Sequence, residues 1–403
     1  MFSLFGKKAE LGIVYHIGTA SVGAGLVRFH AGNLPHVVYS LREPIPYQEN
    51  VDPERFLASM IEALKVINAR LAKDGLAHLK FTEFGTLAVK RVFYVFSSPW
   101  AVTETKVATI KEKESFTFTR DRVDRIIEAE EKAFEKEMAG GDESALKGLR
   151  AIERHVIDIR LNGYEVADPY GKKARFADVT FLTSLVPEAL LEKISDISVK
   201  TYHPRDTRSY SFVLASFSVI RDVFHEEKDF IFLDIGSEIS DVTVVKNGLI
   251  ASTASFPLGR HFIVRKVKKA LGATAAEAAS LIRAYEADAA DKATAEKLKP
   301  ILDAAAEEWA GGFRTVVSKA GGAISLPTKI FVVVSTDIVE LFMRALRSEK
   351  VTELGAFDAP LSAILVHPGK LKGAVAFGKH AEPDPLVAIA AAFAGRVYES
   401  NGE

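Results

Sequence analysis

Two stretches of the chain share one pattern, in which an apolar strand enters a glycine turn and a second apolar strand leaves it. The first is LGIVYHIGTASVGAGLVRF around Gly18, and the second is FIFLDIGSEISDVTVVKNG around Gly236. Runs of Ile, Val, Leu and Phe predict strands, and Ile-Gly-Ser/Thr predicts a tight turn between them. The pattern therefore predicts two hairpins in distant parts of the chain, and with them two related lobes facing each other across a cleft.

A third strand, a helix and a fourth strand are predicted after the first hairpin. The third strand is predicted at His36–Leu41, and the helix begins with Pro53 in its first turn, followed by apolar residues at helical spacing. The fourth strand is predicted at Val92–Trp100. Three strands, a crossover helix and a fourth strand are the order of a ribonuclease-H-like lobe. We therefore predict an α/β fold with two such lobes.

The pattern changes between Trp100 and Thr183. Strands are predicted at Thr103–Ile110 and Phe116–Thr119, followed by a charged helix from Arg120 to Glu137. Three more strand-like stretches follow, the last two separated by the turn Asp168–Gly171. This alternation predicts a small inserted α+β module.

Helices dominate the remainder. They are predicted at Pro187–Ile194 and Tyr210–Phe224, before the second hairpin, and again after Gly259 and across the alanine-rich stretch 273–320. A buried strand in KIFVVVSTDIVELF and a short strand in SAILVHP come next. The final helix begins after Asp384, which is the predicted N-cap.

These patterns predict the domain organisation. The first lobe is predicted to comprise residues 1–88, residues 185–226 and a C-terminal helix at 383–403. The inserted subdomain is predicted at residues 89–184, and the strand at 92–100 belongs either to it or to the first lobe. The second lobe is predicted at residues 227–382, with a small helical subdomain at 260–325.

The composition of the chain narrows the range of possible functions. The chain has 403 residues, 48% of them apolar and 26% charged, which is ordinary for a globular protein of more than one domain. A net charge of −1 disfavours nucleic acid as a partner, and the absence of cysteine excludes disulfides and thiolate chemistry. Near the N-terminus, Phe2, Leu4 and Phe5 stand beside two lysines and suit contact with an anionic membrane or a partner. The alternative is a frayed terminus.

The hairpins carry the candidate chemistry. Glycine turns let the backbone approach an anion, while hydroxyl and N–H groups donate hydrogen bonds to phosphate oxygens. Asp234 at a strand end can hold a divalent cation, and a glycine before a helix start suits phosphate. The candidate phosphate contacts are Gly18, Thr19, Ala20, Asp234, Gly236, Ser237 and Gly259.

The hairpins are not chemically equivalent. The first carries His16 where the second carries Asp234, and imidazole does not replace a hard oxygen ligand for magnesium. We interpret His16 as a strand-end histidine that bonds to a neighbour. Ser97, Ser98 and Ser237 show no His-Asp context that would make a nucleophile, so we predict no catalytic residue.

The order of these motifs resembles the actin-like ATPase superfamily, in the branch of the cell-division protein FtsA and the type IV pilus protein PilM. YHIGTASVGAGLV is similar to the first phosphate motif and FLDIGSEISDVTVVKNG to the second. The stretch RHVIDIRLNGYEVADPYGKKARFADVTFLTS resembles the inserted subdomain of FtsA. The resemblance implies a nucleotide cleft for ATP and magnesium, with Asp234 at the metal and Ser335 and Thr336 at the adenosine.

The chain departs from the family pattern at the nucleotide contacts. His16 stands in place of the family's first aspartate, and Ser335 and Thr336 stand in place of a Gly-Gly turn. Ala279 and Ile282 align with Glu and Lys near the ribose. These departures agree with one another, so we expect weak hydrolysis or none.

Three functions remain open. The first is an FtsA-like cytoplasmic adaptor that links cell-division proteins, including a polymerising division GTPase, at the membrane and associates with itself. The second is a PilM-like pilus component that binds the cytoplasmic tail of a membrane partner. The third is an active ATPase or sugar kinase of the same fold. In the first two, the protein acts at the cytoplasmic face of the membrane and touches the membrane only through partners or its N-terminus.

Overall fold

The computed structural model describes residues 9–79, 88–140, 148–321, 326–334, 336–348, 351 and 361–400. The strands are β1 (Glu10–Ile17), β2 (Ser21–Phe29), β3 (His36–Pro44), β4 (Val89–Phe96), β5 (Val102–Thr117), β6 (Leu149–Leu161), β7 (Tyr164–Glu165), β8 (Lys173–Pro187), β9 (Asp206–Ser211), β10 (Phe230–Ile235), β11 (Ser240–Lys246), β12 (Leu249–Phe256), β13 (Lys329–Val334), β14 (Ser362–Leu365) and β15 (Ala376–Ala381). The α-helices are α1 (Pro53–Arg70), α2 (Arg120–Ala139), α3 (Glu188–Tyr202), α4 (Phe212–Val223), α5 (Arg260–Leu271), α6 (Ala275–Glu286), α7 (Lys292–Gly321), α8 (Val339–Leu346) and α9 (Pro385–Ser400).

The first lobe contains a sheet in the order β15-β3-β2-β1-β4-β9. Strands β1, β2 and β3 form an antiparallel meander, and β4 lies parallel to β1. The strand predicted at Val92–Trp100 is therefore β4 of the first lobe, and the start of the inserted subdomain moves from residue 89 to residue 102.

The second lobe repeats the arrangement. Its sheet has the order β12-β11-β10-β13-β14, with an antiparallel meander of three strands and two parallel additions. Every residue of β10 is buried, which agrees with a strand that is apolar except for Asp234. The two sheets thus place the two glycine turns at equivalent positions of equivalent lobes.

The inserted subdomain is a four-stranded antiparallel sheet in the order β5-β8-β6-β7, covered by α2. The two strands predicted at Thr103–Ile110 and Phe116–Thr119 are one strand, β5, whose pairing with β8 is irregular between Lys111 and Phe116. The charged residues between them suggested a loop, whereas an edge strand tolerates charge on its exposed face.

Two helices lie where the lobes meet. One hydrophobic core contains residues of β1 and β4, residues of β10 and β13, and the buried faces of α4 and α9. Asp384 caps α9 as predicted, because its carboxylate accepts hydrogen bonds from the amides of Leu386 and Val387, both at 2.9 Å. A shared core of this kind makes α4 and α9 the structural link between the lobes.

Further elements differ from the sequence prediction, among them β12, which was not predicted. The helix predicted from Tyr210 begins at Phe212, because Asp206–Ser211 forms β9, and Ser211 caps α4 by accepting from the amide of Leu214 at 3.1 Å. Strand β15 was not predicted and pairs with β3 at the sheet edge. In the described part of the chain, no helix combines the length and apolar character needed to cross a bilayer.

Candidate functional site

The two predicted glycine turns close with the same hydrogen bond. The amide of Gly18 donates to the carbonyl of Ser21 at 3.1 Å, and that of Gly236 donates to the carbonyl of Ile239 at 2.9 Å. Ala20 contributes its carbonyl, which accepts from the amide of Ile45 at 2.7 Å. The sequence pattern thus produced two turns of the same geometry.

The turns contact each other directly. The amide of Ser237 donates to Oγ1 of Thr19 at 2.9 Å, and both residues are almost fully buried. A Cβ placed on Gly236 would lie 3.0 Å from the same Oγ1. The predicted phosphate contacts Thr19, Gly236 and Ser237 therefore lie against one another in this arrangement.

Gly259 packs against the second turn. A Cβ at Gly259 would lie 2.5 Å from the carbonyl oxygen of Gly236 and 2.6 Å from backbone atoms of Ser237. The first amides of α5 are also engaged, because Arg260 donates to the Gly236 carbonyl at 3.0 Å and His261 donates to the Ser237 carbonyl at 2.7 Å. Gly259 allows this close approach, and the helix start offers these amides to the turn, not to a phosphate.

A chain of three side chains crosses from one lobe to the other. Nε2 of His16 lies 3.0 Å from Oγ of Ser97, which donates to Oδ2 of Asp234 at 3.1 Å. Ser97 thus has a histidine and an aspartate as neighbours, which the sequence did not indicate. The arrangement still differs from a catalytic triad, because the aspartate contacts the serine and not the histidine.

Burial sets the charge states of this chain. Desolvation, followed by the positive charge of Arg42, lowers the pKa of His16 to about 3, so its imidazole is neutral. Desolvation, followed by the negative charge of Asp241, raises the pKa of Asp234 to about 7. The prediction that His16 bonds to a neighbour holds for Nε2, whereas Nδ1 is buried without a protein partner. Without a bound cation, Asp234 is therefore partly protonated at neutral pH.

Two ion pairs flank the site. Arg42 of β3 makes a two-pronged contact with Asp384, at 2.6 and 2.9 Å, and also donates to Oγ of Ser21 at 2.9 Å. Arg260 contacts Asp337 at 2.5 Å. Sequence reasoning named Asp384 only as a helix cap and missed Arg42, since a lone arginine in a strand gives no local signal.

The remaining predicted contacts add little to a nucleotide site. Ser335 lies outside the described residues, and Thr336 begins a short 3₁₀ turn whose first side chain is not described. Ile282 is buried in the core of the second lobe and Ala279 packs against it. In residues 9–79 and the other described ranges, no group of three or more His, Asp or Glu side chains converges as a metal site.

The cleft retains a cavity of about 210 Å³ whose lining includes both glycine turns, through Gly18, Thr19, Gly236 and Ser237. Its walls include His16, Asp234, Arg42 and Arg260, with apolar side chains from β13 and the start of α9. The turns are joined through Thr19 and Ser237, and two polar atoms of the residues that line the cavity, Oγ of Ser237 and Nδ1 of His16, are buried without a protein partner.

No protein-family model matches the chain, and no curated protein matches its sequence. A chain of the PilM-PilN type IV pilus biogenesis complex matches its structure with a TM-score of 0.56 and 13% identity, covering 95% of this chain and 98% of the other. EutJ from Carboxydothermus hydrogenoformans matches with a TM-score of 0.43 and 12% identity, covering 96% of this chain and 89% of EutJ. A Bacteroides thetaiotaomicron protein with an actin-like ATPase fold matches with a TM-score of 0.41 and 9% identity, covering 90% of this chain and 94% of the other. The chain has the actin-like ATPase fold.

The raised pKa of Asp234 predicts a pH dependence of stability. The folded protein holds a proton that the unfolded chain, with a pKa of 3.8, has released, so this contribution is fully present below pH 3.8 and is lost as pH rises through about 7. Wild type should therefore lose stability relative to Asp234→Asn between about pH 4 and pH 8, measured by urea unfolding. A constant difference across this range would contradict the assignment.

The close approach at Gly259 predicts a large effect of one methyl group. Gly259→Ala should destabilise the protein by about 2 kcal/mol or more, because its Cβ meets backbone atoms that cannot rotate away. The matched control is Gly373→Ala, whose Cβ would have open space around it. Thermal unfolding of both variants tests this; equal melting temperatures would show that the α5 start is not held against the turn.

Proposed function

We propose that the protein is a non-catalytic adaptor of a membrane-associated assembly, which binds a segment of a membrane partner and does not turn over ATP. The observation that carries this proposal is the hydrogen bond between Thr19 and Ser237, which joins the two turns that the sequence predicts as phosphate contacts. An ATPase or sugar kinase needs an ionised carboxylate for magnesium and a carboxylate base. Burial instead raises the pKa of Asp234 to about 7.

A groove on the first lobe offers a place for the partner segment. It has a volume of about 480 Å³ and lies between α3, β9 and the start of β6; we refer to it as the β9 groove. Strand β9 is the edge strand of its sheet, so an extended segment can add to it through main-chain hydrogen bonds. The walls provide aromatic, apolar and charged contacts from Tyr94, Tyr210, Ile152, Leu191, Arg150 and Glu188.

The pilus assembly is the favoured setting. The likeness to the PilM-PilN complex spans nearly all of both chains, including the inserted subdomain that forms one wall of the groove. By this analogy the partner is the cytoplasmic tail of a PilN-type membrane protein, and this protein acts at the cytoplasmic face of the membrane. Contact of Phe2, Leu4 and Phe5 with the membrane lies outside the described residues.

The FtsA-like role is the second candidate. Its support is the inserted subdomain, where Gly171 of the Asp-Pro-Tyr-Gly turn adopts a φ of +82° and donates to the carbonyl of Phe118 at 2.8 Å. In this setting the partners are division proteins, including the polymerising GTPase, and copies of this chain. Both candidates share the adaptor role and differ in the partner.

The joined turns predict no response to nucleotide. The melting temperature should change by less than about 1 °C in 1 mM ATP with magnesium, because phosphate would have to displace the hydrogen bond between the turns. A site with a Kd of about 10 μM would instead add about 2.7 kcal/mol at this concentration. A rise of several degrees would overturn the proposal that the cleft is non-functional.

If the partner segment binds in the β9 groove, a substitution that fills the groove should weaken partner binding. Ser195 of α3 lines the groove, so Ser195→Arg should fill it and weaken partner binding at least about tenfold, or about 1.4 kcal/mol. The matched control is Asp196→Arg, at the next and largely exposed position of the same helix, outside the groove. Fluorescence anisotropy with a labelled tail peptide of the PilN-type protein from the same genome provides the measurement.

The outcomes of this experiment separate the candidates. Binding of the tail peptide that is lost in Ser195→Arg and retained in Asp196→Arg supports the pilus setting and the groove. Binding retained in both variants places the site elsewhere. Binding of the division GTPase, with none of the tail peptide, would replace the pilus setting by the FtsA-like role.

A further inference from the structure

Strand β6 of the inserted subdomain leaves its regular pairing with β8 at two points. The register shifts between Ala151 and Glu153 and again between Val156 and Asp158, so Ile152 and Ile157 are the bulged residues. A bulge re-aims side chains. Ile152 packs against the core on the α1 side of the first lobe, and Ile157 packs against the core shared by α4 and α9. The bulges therefore direct this edge of the subdomain into the first lobe.

Glu153 lies between these two isoleucines and is buried, with 9% of its surface exposed. Its Oε1 accepts from Oγ of Ser184, at 2.5 Å, and from Oγ of Ser211. Its Oε2 accepts from the backbone amide of Ser211 at 3.0 Å. Ser184 belongs to the subdomain and Ser211 to the first lobe, so one carboxylate joins the two. A buried carboxylate needs such donors, because losing them leaves a charge without compensation.

The residue that Glu153 holds is the start of the helix between the lobes. Ser211 is the N-cap of α4, where a negative charge is favourable to the helix dipole. The next residue, Phe212, contacts the ring of His16 edge-on with 4.9 Å between ring centres, and lies 6.1 Å from Phe232 of the second lobe. Ser211, which contacts Glu153, is therefore followed directly by Phe212, which contacts His16 in the cleft.

The same carboxylate borders the β9 groove. Arg150, Ala151 and Ile152 precede Glu153 and line the groove from β6, while Ser209 and Tyr210 precede Ser211 and line it from β9. The bond between Glu153 and Ser211 therefore fixes the separation of the two walls. The subdomain also reaches the second lobe, where Oγ1 of Thr253 donates to the carbonyl of Thr103 at 3.2 Å.

We infer that Glu153 is a positioning residue that couples the β9 groove to the cleft, by holding β6 against the first residue of the inter-lobe helix α4. A segment that enters the groove and moves β6 acts on α4 through this carboxylate, and α4 acts on the joined turns through Phe212 and His16. The inference concerns the chain itself and holds whichever partner occupies the groove.

Hydrogen exchange of Glu153→Gln tests the coupling without a partner. The amide keeps the size of the side chain but replaces one acceptor by a donor that faces Ser211. Exchange should become at least about tenfold faster at the amides of Ser211 and Leu214, and also at the amide of Ser237, which bonds to Thr19 in the cleft. Amides inside β10 serve as the reference for global unfolding.

The matched control is Glu131→Gln. Glu131 is buried in the same subdomain and accepts from Arg154 and Thr183, the neighbours of Glu153 and Ser184 in sequence. These hydrogen bonds join residues of the inserted subdomain, so Glu131→Gln should leave hydrogen exchange at the amide of Ser237 unchanged.

Three results would overturn the inference. Faster exchange at Ser211 without any change at Ser237 would show that Glu153 is only a local anchor. Equal acceleration at Ser237 in the Glu131→Gln variant would show general loosening. No change at either site would show that the bond does not hold the subdomain. Where Glu153→Gln does not fold, Glu153→Asp, which withdraws the carboxylate by one methylene, gives the same comparison.

Discussion

The hydrogen bond between Thr19 and Ser237 sets the arrangement of the lobes at the cleft. It requires that both glycine turns approach closely, and a side chain at residue 236 would meet Thr19 of the facing turn. Glycine at residue 259 lets the start of α5 pack against the second turn of its own lobe. With the turns joined, the amides at the start of α5 bond to the second turn. The amides of Ser237, Arg260 and His261 are thereby engaged within the protein.

The rest of the molecule is consistent with a scaffold. Helices α4 and α9 lie in a core that contains residues of both sheets, so the lobes are joined by apolar packing as well as by polar contacts. The inserted subdomain contacts the first lobe through Glu153 and the second through Thr103. A body held at several points offers a rigid surface for a partner, and the β9 groove lies where two of these units meet.

Sequence reasoning succeeded where a pattern was long and locally complete. The two hairpins, the inserted subdomain and the cap of α9 each depend on residues close together in the chain. It failed at β9, because Ser-Tyr-Ser-Phe leads into an apolar helix without a turn residue. It also missed β15, whose mixed residues AFGKHA show no clear alternation, since an edge strand is only partly buried.

The sequence by itself determined the fold class, two related lobes with glycine turns, and the presence of His16 where an aspartate was expected. Only the tertiary structure decided that Thr19 binds Ser237, that Ser97 lies between His16 and Asp234, and that Glu153 accepts hydrogen bonds from the N-cap residue of α4 from another subdomain. The physical reason is that turns and caps form between neighbouring residues, whereas these contacts join residues far apart in the chain. Their distances, and the burial that shifts the pKa values of His16 and Asp234, exist only once the lobes have packed together.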